Sequence, residues 1–327
     1  MNDYCLALLE QYDIEVLRIR KGRGAYIIET PGEQLIFREY VGTEERARLQ
    51  SRVLSQIEEA GEVPVEKLFF SKEENAVVRD TDGSGYILKT CPEGRELNIA
   101  DREECIKAVR TLARMHKSMI LEEEAPGQAP GTTASRYEKG RKELRRVHKY
   151  LLQRSQKTDF EISLMKHYGY FQEQADCIHE QWQEYSKFVQ TDPYVYCHGE
   201  YQYHNILFAG SRVAVVNFEK MTADNQIRDL YLLMRKLLEK CGWSVELGSK
   251  LLEQYEREKP LSAIDRIDLY YRLAYPEKFR KVVNFYYNSG KAWIPGRNQE
   301  KLDKIIEQEK EKQYFLDKVF REPGNGI

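Results

Sequence analysis

The 327-residue sequence contains no run of about 18 apolar residues, so nothing in it is expected to span a membrane. It also lacks an excess of either charge. Its 51 Lys and Arg stand against 53 Asp and Glu, giving a formal net charge of -2. A nucleic-acid protein would normally carry a strongly basic domain, so no nucleic-acid partner is expected. Cysteine is sparse: Cys5, Cys91, Cys105, Cys177, Cys197 and Cys241 include no Cys-x-x-Cys pair, which argues against a zinc ribbon or a disulfide framework. Reduced, mostly buried thiols are the default. The pairs Cys197/His198 and Cys177/His179 are formal metal ligands, but adjacent strand residues point to opposite faces, so the first pair would chelate poorly. The start, Met1-Asn2-Asp3-Tyr4-Cys5, has neither the basic beginning nor the apolar middle of a secretory signal. The expectation is a chain made, and staying, inside a cell. No internal repeat is visible.

What is present alternates between two patterns. Up to about residue 92, short apolar stretches of strand character dominate: Ile14 to Ile19, Ala25 to Glu29, Gln34 to Tyr40, Asn75 to Val78 and Tyr86 to Lys89. Lys21-Gly22-Arg23-Gly24 joins the first two, and Thr30-Pro31-Gly32 the next two. Thr43 caps a helix running to about Ala60, with Glu44 and Glu45 in its first turn serving the helix start. Helical spacing prevails afterwards, over Ile99 to Met119, Arg136 to Leu152, a longer segment carrying Trp182 toward Phe188, and then 226–241, 244–256, 262–274, 276–288 and 299–320. Glu122 to Gly131 reads as a flexible link. The predicted fold class is α+β in two parts: a strand-rich lobe of five strands and one helix over residues 1–92, and a helical lobe over 93–327. A length of 327 residues is sufficient for two such cores.

The chemistry concentrates in Cys197-His198-Gly199-Glu200-Tyr201-Gln202-Tyr203-His204-Asn205-Ile206-Leu207-Phe208, followed after a turn by Val213-Ala214-Val215-Val216-Asn217-Phe218-Glu219. A kinase-type loop needs a carboxylate to orient the acceptor hydroxyl and, five residues later, an amide for a metal. After a buried strand it needs a second carboxylate, to grip magnesium on the nucleotide phosphates. Here the first carboxylate is Glu200 instead of aspartate, the amide is Asn205, and the third position is the neutral Asn217.

These residues resemble the aminoglycoside phosphotransferase and choline kinase superfamily, whose pattern is His-Gly-Asp-x-x-x-x-Asn and then an apolar strand ending in Asp-Phe-Asp. Within it the chain looks most like the CotS-type spore-coat proteins. That likeness rests on Arg228-Asp229-Leu230-Tyr231-Leu232, on Tyr275-Pro276-Glu277-Lys278-Phe279 and on Asn284 to Ser289. Glu93-Gly94-Arg95-Glu96 and Leu112-Ala113-Arg114-Met115-His116 extend it over nearly the whole chain. The resemblance implies a two-lobed protein-kinase-like fold.

It also implies roles by position. Arg38 matches the lysine that pairs with nucleotide phosphates; its planar fork is not equivalent to an ammonium there, and a strand residue facing solvent is the other reading. The partner glutamate on the small-lobe helix is missing, with Leu49-Gln50-Ser51 at its depth. Lys21-Gly22-Arg23-Gly24 either covers phosphates or forms a plain hairpin turn. Thr90 and Cys91 fall in the hinge that meets adenine, but Pro92 lacks an N–H to donate there. Glu200 places its carboxylate about an ångström away from where aspartate would, a displacement that can cost about 100-fold. His198 and Asp229 are expected to prop the loop. Asn205 either binds a metal or stabilises the loop. Asn217 removes one negative charge from the metal site, and Glu219, two residues on and sharing its face, is a possible rescue. The basic face Arg141, Lys142, Arg145, Arg146 and Lys149 meets an acidic partner or solvent. Twenty-two tyrosines suit protein contact, oxidative cross-linking or simple packing.

The expectation is a spore-coat-type kinase-fold protein, synthesised in the cytoplasm and carried in the spore coat, acting as an assembly or binding module for other coat proteins with phosphotransferase activity weak or absent. ATP and Mg2+ are not expected to bind strongly. The alternatives are an active ATP- and Mg-dependent phosphotransferase on a small hydroxylated acceptor, with Glu200 as base and Asn205 and Glu219 on the metal, and a nucleotide-sensing pseudokinase.

Overall fold

The computed structural model describes residues 3–22, 24–121, 133–188, 195–289 and 296–321. Arg23 and the expected link at 122–131 lie outside the described residues. The chain divides into two compact units, one made of Met1–Gln128, Asp192–Leu233 and Gln254–Lys259, the other of Ala129–Thr191, Met234–Glu253 and Pro260–Ile327. The strand-rich stretch 1–92 lies wholly in the first unit, together with the kinase-type loop.

The first unit opens with helix α1 (Asp3–Leu9), then β1 (Arg18–Lys21), β2 (Tyr26–Glu29), β3 (Gln34–Glu39), α2 (Glu44–Ala60), β4 (Leu68–Phe69), β5 (Val78–Arg79) and β6 (Gly85–Thr90). The six strands form one antiparallel sheet, ordered β1-β2-β3-β6-β4 with β5 also on β6. Alternation sorts the β3 side chains: Leu35 and Phe37 join Leu8, Leu9, Tyr12, Ile28, Val78 and Leu88 in a core cluster. Two elements exceed the sequence reading. The helix α1 covers this cluster with Leu8 and Leu9, and the two-residue β4 makes a sixth strand. β1 begins at Arg18, later than Ile14, because Ile14 and Val16 pack against the cluster outside the ladder.

α2 starts where expected, with Thr43 Oγ1 accepting from the Arg46 N–H at 3.3 Å, and ends at Gly61 in the left-handed region (φ 70°). Glu44 does more than serve the helix start, since its carboxylate accepts the N–H groups of Ala76 and Val77 at 2.8 and 2.9 Å. Next come β7 (Arg95–Glu96) and α3 (Arg102–Ser118), which Asp101 caps through the N–H groups of Glu103 and Glu104.

The second unit holds α4 (Thr133–Gln153) and α5 (Asp159–Ser186), the latter opened by a Thr158/Glu161 capping box. Helices α6 (Ile227–Lys240) and α7 (Val245–Glu258) come next in the chain, and the remaining helices of the second unit include α8 (Ala263–Ala274), with a second capping box from Ser262 and Asp265, and α9 (Glu277–Asn288). Phe279 stacks on Phe171 at 4.3 Å and meets Tyr168 edge-on at 5.8 Å. The helix expected over 299–320 is two, α10 (Gly296–Glu307) and α11 (Glu309–Leu316), interrupted at Gln308. Most of the basic face on α4 is matched internally: Arg141 and Arg145 pair with Asp176, Lys142 with Glu138, and Arg146 lies over the Tyr287 ring. The cysteines depart from expectation. Among the described ones only Cys105 and Cys197 are buried, while Cys177 and Cys241 are exposed. No group of three or more potential His, Cys, Asp or Glu metal ligands occurs among the described residues. Among the described residues no helix is long and apolar enough to cross a membrane.

Candidate functional site

Three local structures of the first unit build the site. The strands β9 (Ile206–Ala209) and β10 (Arg212–Val215) form a hairpin in register Ile206 with Val215, and the Val216 N–H donates to Asn205 O at 3.0 Å. That pairing brings Asn205, just before one strand, beside Asn217, just after the other. A second short ladder, β8 (Tyr196–Cys197) with β11 (Thr222–Ala223), closes the base of the loop. The third is the segment 64–68. Pro64 O accepts the Val215 N–H at 3.0 Å and Val65 bridges Val215, while Leu68 pairs with Lys89 on β6. Glu66 is thereby held between β10 and β6.

Asp229 and His198 hold the loop through buried hydrogen bonds. Asp229, fully buried, accepts the His198 N–H at 2.6 Å, the Gly199 N–H at 2.8 Å and a bond from His116 Nε2 at 3.2 Å. Burial pushes its carboxyl up, but the His116 bond and the Gly199 N–H outweigh that and hold it below the ordinary aspartate value. Burial keeps His116 neutral by lowering its pKa, and its Nδ1 meets Tyr255 Oη at 2.8 Å. His198 accepts the Glu200 N–H on Nδ1 at 3.1 Å, so the proton sits on Nε2 and is donated to Val216 O at 3.0 Å. Gly199 has φ +81°, and a Cβ there would lie 2.0 Å from Lys220 O, so no other residue fits.

Above this base lies a cluster the sequence reading did not find. The Lys89 ammonium, fully buried, donates to Glu219 Oε1 at 2.7 Å, Glu66 Oε2 at 2.9 Å and Asn217 Oδ1 at 3.0 Å. Glu66 also accepts the N–H groups of Asn217 and Phe218 at 2.7 and 3.1 Å. Asn217 sits in the left-handed region at φ 68°, where asparagine is among the few tolerated side chains. Both ends of its amide are engaged: Oδ1 takes Lys89 and Arg38, the latter at 3.3 Å, and Nδ2 donates to Asn205 Oδ1 at 2.8 Å. Asn205 in turn donates to Glu200 O at 2.9 Å. Arg38 therefore faces inward, with its guanidinium 3.3 Å from Glu219 Oε1. Burial raises Glu219, but Lys89 foremost, then Arg38, hold it below the ordinary glutamate value.

At the depth of the expected helix glutamate α2 carries the buried Gln50; Arg38 pairs instead with Glu219, and Glu66, outside that helix, pairs with Lys89. α2 holds the 218–220 turn through Arg46, which donates to Glu219 O and Met221 O at 3.0 and 3.3 Å. The only signal for Lys89 in the sequence was its place in Tyr86-Ile87-Leu88-Lys89, where β pairing puts it opposite Ile36 and on the face of Arg38.

The hinge is also largely spent. The Thr90 N–H donates to Lys67 O at 2.9 Å, its hydroxyl accepts the Lys67 N–H at 2.9 Å, and the Cys91 N–H donates to Gln34 O at 3.1 Å. Burial pushes the Cys91 thiol up. In the glycine turn the Gly22 N–H donates to Ala25 O at 2.8 Å, as a hairpin requires. The carboxylate of Glu200, half-buried, makes no hydrogen bond or ion pair among the described residues. A cavity of the second unit, lined by Phe171, Trp243 and Lys312 among others, includes none of these residues.

These groups do not fit magnesium and a nucleotide as they stand. The metal-side oxygens of Asn205, Asn217 and Glu219 are engaged by an amide N–H, an ammonium and a guanidinium. Two cations already face two carboxylates, so the site is electrically balanced.

Residues 6–319 match the family model described as "Spore coat putative kinase YutH". Comparison with curated proteins finds no match. Among solved structures, an aminoglycoside phosphotransferase from Alicyclobacillus acidocaldarius is similar at TM-score 0.84 and 14% identity, over 97% of this chain and 95% of that one. A microcompartment-associated aminopropanol kinase aligns at TM-score 0.64 and 13% identity, over 97% and 98%. The amicoumacin kinase hAmiN, solved with AMP-PNP, Ca2+ and Ami, aligns at TM-score 0.63 and 14% identity, over 97% and 94%. The likeness establishes the two-lobed kinase-like α+β fold.

Proposed function

The chain belongs to the spore coat kinase YutH family, and from that membership we propose that it is a kinase-fold binding module of the spore coat, made in the cytoplasm and assembled with other coat proteins, in which phosphoryl transfer is weak or absent. The observation that carries this reading is Asn217. It occupies the position where the kinase pattern requires a metal-gripping carboxylate, and both ends of its amide are committed to Asn205, Lys89 and Arg38. The hinge adds support: the N–H groups of Thr90 and Cys91 are bonded within the protein, and Pro92 has none to offer adenine. Nucleotide and Mg2+, present in the active relatives' chemistry, are therefore not needed to complete the site.

A second reading draws on Glu200, whose unengaged carboxylate lies where an acceptor hydroxyl would be oriented. In that reading the protein phosphorylates a small hydroxylated molecule. The two are separated by phosphate release and by calorimetry with ATP and Mg2+ on the purified chain. The coat-module reading expects neither turnover nor a binding isotherm. Turnover on the order of 1 s⁻¹ or above, the ordinary kinase range, would overturn it.

A further inference from the structure

An ammonium has three protons and no acceptor. Lys89 gives one each to Glu219 Oε1, Glu66 Oε2 and Asn217 Oδ1, at 2.7, 2.9 and 3.0 Å, with no part of the side chain exposed. Three convergent oxygens, two of them anionic, around one buried positive centre is the environment a metal ion receives from protein ligands. Two of those oxygens belong to Asn217 and Glu219, the residues that the loop pattern places on the metal. We propose that the Lys89 ammonium is the permanent cation of this site, fixing the Asn217–Glu219 turn without any free ion, and that truncating it turns the same oxygens into a binding site for a divalent cation. This rests on the reading above that the intact chain does not use magnesium.

Charge explains why the intact site should be indifferent to metal. Lys89 and Arg38 offset Glu66 and Glu219, and Asn217 adds nothing. A divalent ion entering this cluster would bring two unbalanced charges into a buried place. Without the ammonium, Glu219 keeps Arg38 but the buried Glu66 loses the cation it pairs with, and an incoming cation replaces it. Size sets the preference. The oxygens stand 2.7 to 3.0 Å from the nitrogen, so contraction to the roughly 2.3–2.6 Å of calcium is smaller than to the roughly 2.1 Å demanded by magnesium.

The test is thermal unfolding of the full chain in EDTA, in excess calcium and in excess magnesium, for the parent, Lys89→Ala and Lys89→Met/Glu219→Gln. The parent is expected to be unmoved by either ion. Lys89→Ala should melt lower in EDTA and recover by on the order of 5 °C in calcium, and less in magnesium. Should Lys89→Ala not fold in EDTA, calcium is expected to restore its folding. The double variant also removes the charge of Glu219, which supplies one of the three oxygens proposed to take calcium, so it should respond to neither ion. The proposal is overturned if calcium stabilises the parent as much as Lys89→Ala, if Lys89→Ala gains nothing from calcium whether folded or not, or if the double variant gains as much from calcium as the single. ATP turnover by the parent would instead overturn the preceding functional reading, whatever the melts show.

Discussion

Replacing Asp229 asks whether the His198–Glu200 loop is held by the protein's own groups in the absence of any ligand. Its carboxylate accepts from three buried donors, the N–H groups of His198 and Gly199 and Nε2 of His116, at 2.6, 2.8 and 3.2 Å. Asp229→Ala orphans all three. His116 can relax by moving its proton to Nδ1 and donating to the Tyr255 hydroxyl, already 2.8 Å away, but the two backbone donors have no such exit. At about 1–3 kcal/mol for each of the two orphaned backbone donors, the loss comes to roughly 2–6 kcal/mol. Asp229→Asn preserves shape and still fails. Whichever way the amide is turned, its NH2 faces one of the two backbone N–H groups, so it should cost roughly 2–4 kcal/mol. Denaturant unfolding followed by tryptophan fluorescence reads both as shifts in midpoint at constant slope. The pH dependence has a definite sign. The folded carboxyl titrates below its unfolded value of about 3.9, so its contribution is complete above that value and is lost as pH falls through the lower folded one. The gap between parent and Asp229→Asn should therefore be full at neutral pH and close in acid below about pH 4. An Asp229→Asn chain within about 1 kcal/mol of the parent at neutral pH would refute the account of how this loop is held.

Two further outcomes follow from the same geometry. Glu200→Asp with Asn217→Asp restores the letters of an active kinase loop, yet Lys89 still occupies the oxygens. Less than about a 10-fold gain in phosphate release is expected from that pair, and magnesium-dependent nucleotide binding only when Lys89→Ala is added; robust turnover by the pair alone would show that Lys89 is no obstacle. Gly199→Ala forces a Cβ to 2.0 Å from Lys220 O at φ +81°, and a loss of at least about 2–3 kcal/mol is expected by denaturant titration.

Where information was local, the sequence was readable. α2 was read from Thr43 with Glu44 and Glu45 in its first turn, because an N-cap is decided within four residues. Asn205 and Asn217 lie side by side because a hairpin register fixes both. Non-local pairing was not readable. Glu66 and Lys89 are 23 residues apart and meet only because segment 64–68 bonds to β10 on one side and β6 on the other. β4 has just two residues, too few for any period to register, and the break at Gln308 interrupts a pattern whose apolar spacing continues on both sides. The helix glutamate was sought on α2 by analogy of depth, and the carboxylate entered from a loop instead.

Asn217 and Lys89 make physical sense only as a pair. With aspartate at 217 and lysine at 89, the buried cluster would hold three carboxylates against Lys89 and Arg38, and Asn205 Oδ1 would lose the N–H it accepts from residue 217. With asparagine at 217 and an apolar residue at 89, Glu219 would keep Arg38, but Glu66, a carboxylate that is 1% exposed, would be left without its ammonium. Breaking a buried pair on one side in this way typically costs about 3–5 kcal/mol. The observed combination leaves no such debt: the amide supplies one donor to Asn205, the ammonium spends all three of its protons, and Glu66 fills its remaining capacity with the N–H groups of Asn217 and Phe218. An amide at 217 removes the negative charge that a metal ion would have offset, and the ammonium of Lys89 and the guanidinium of Arg38 balance the two carboxylates that remain.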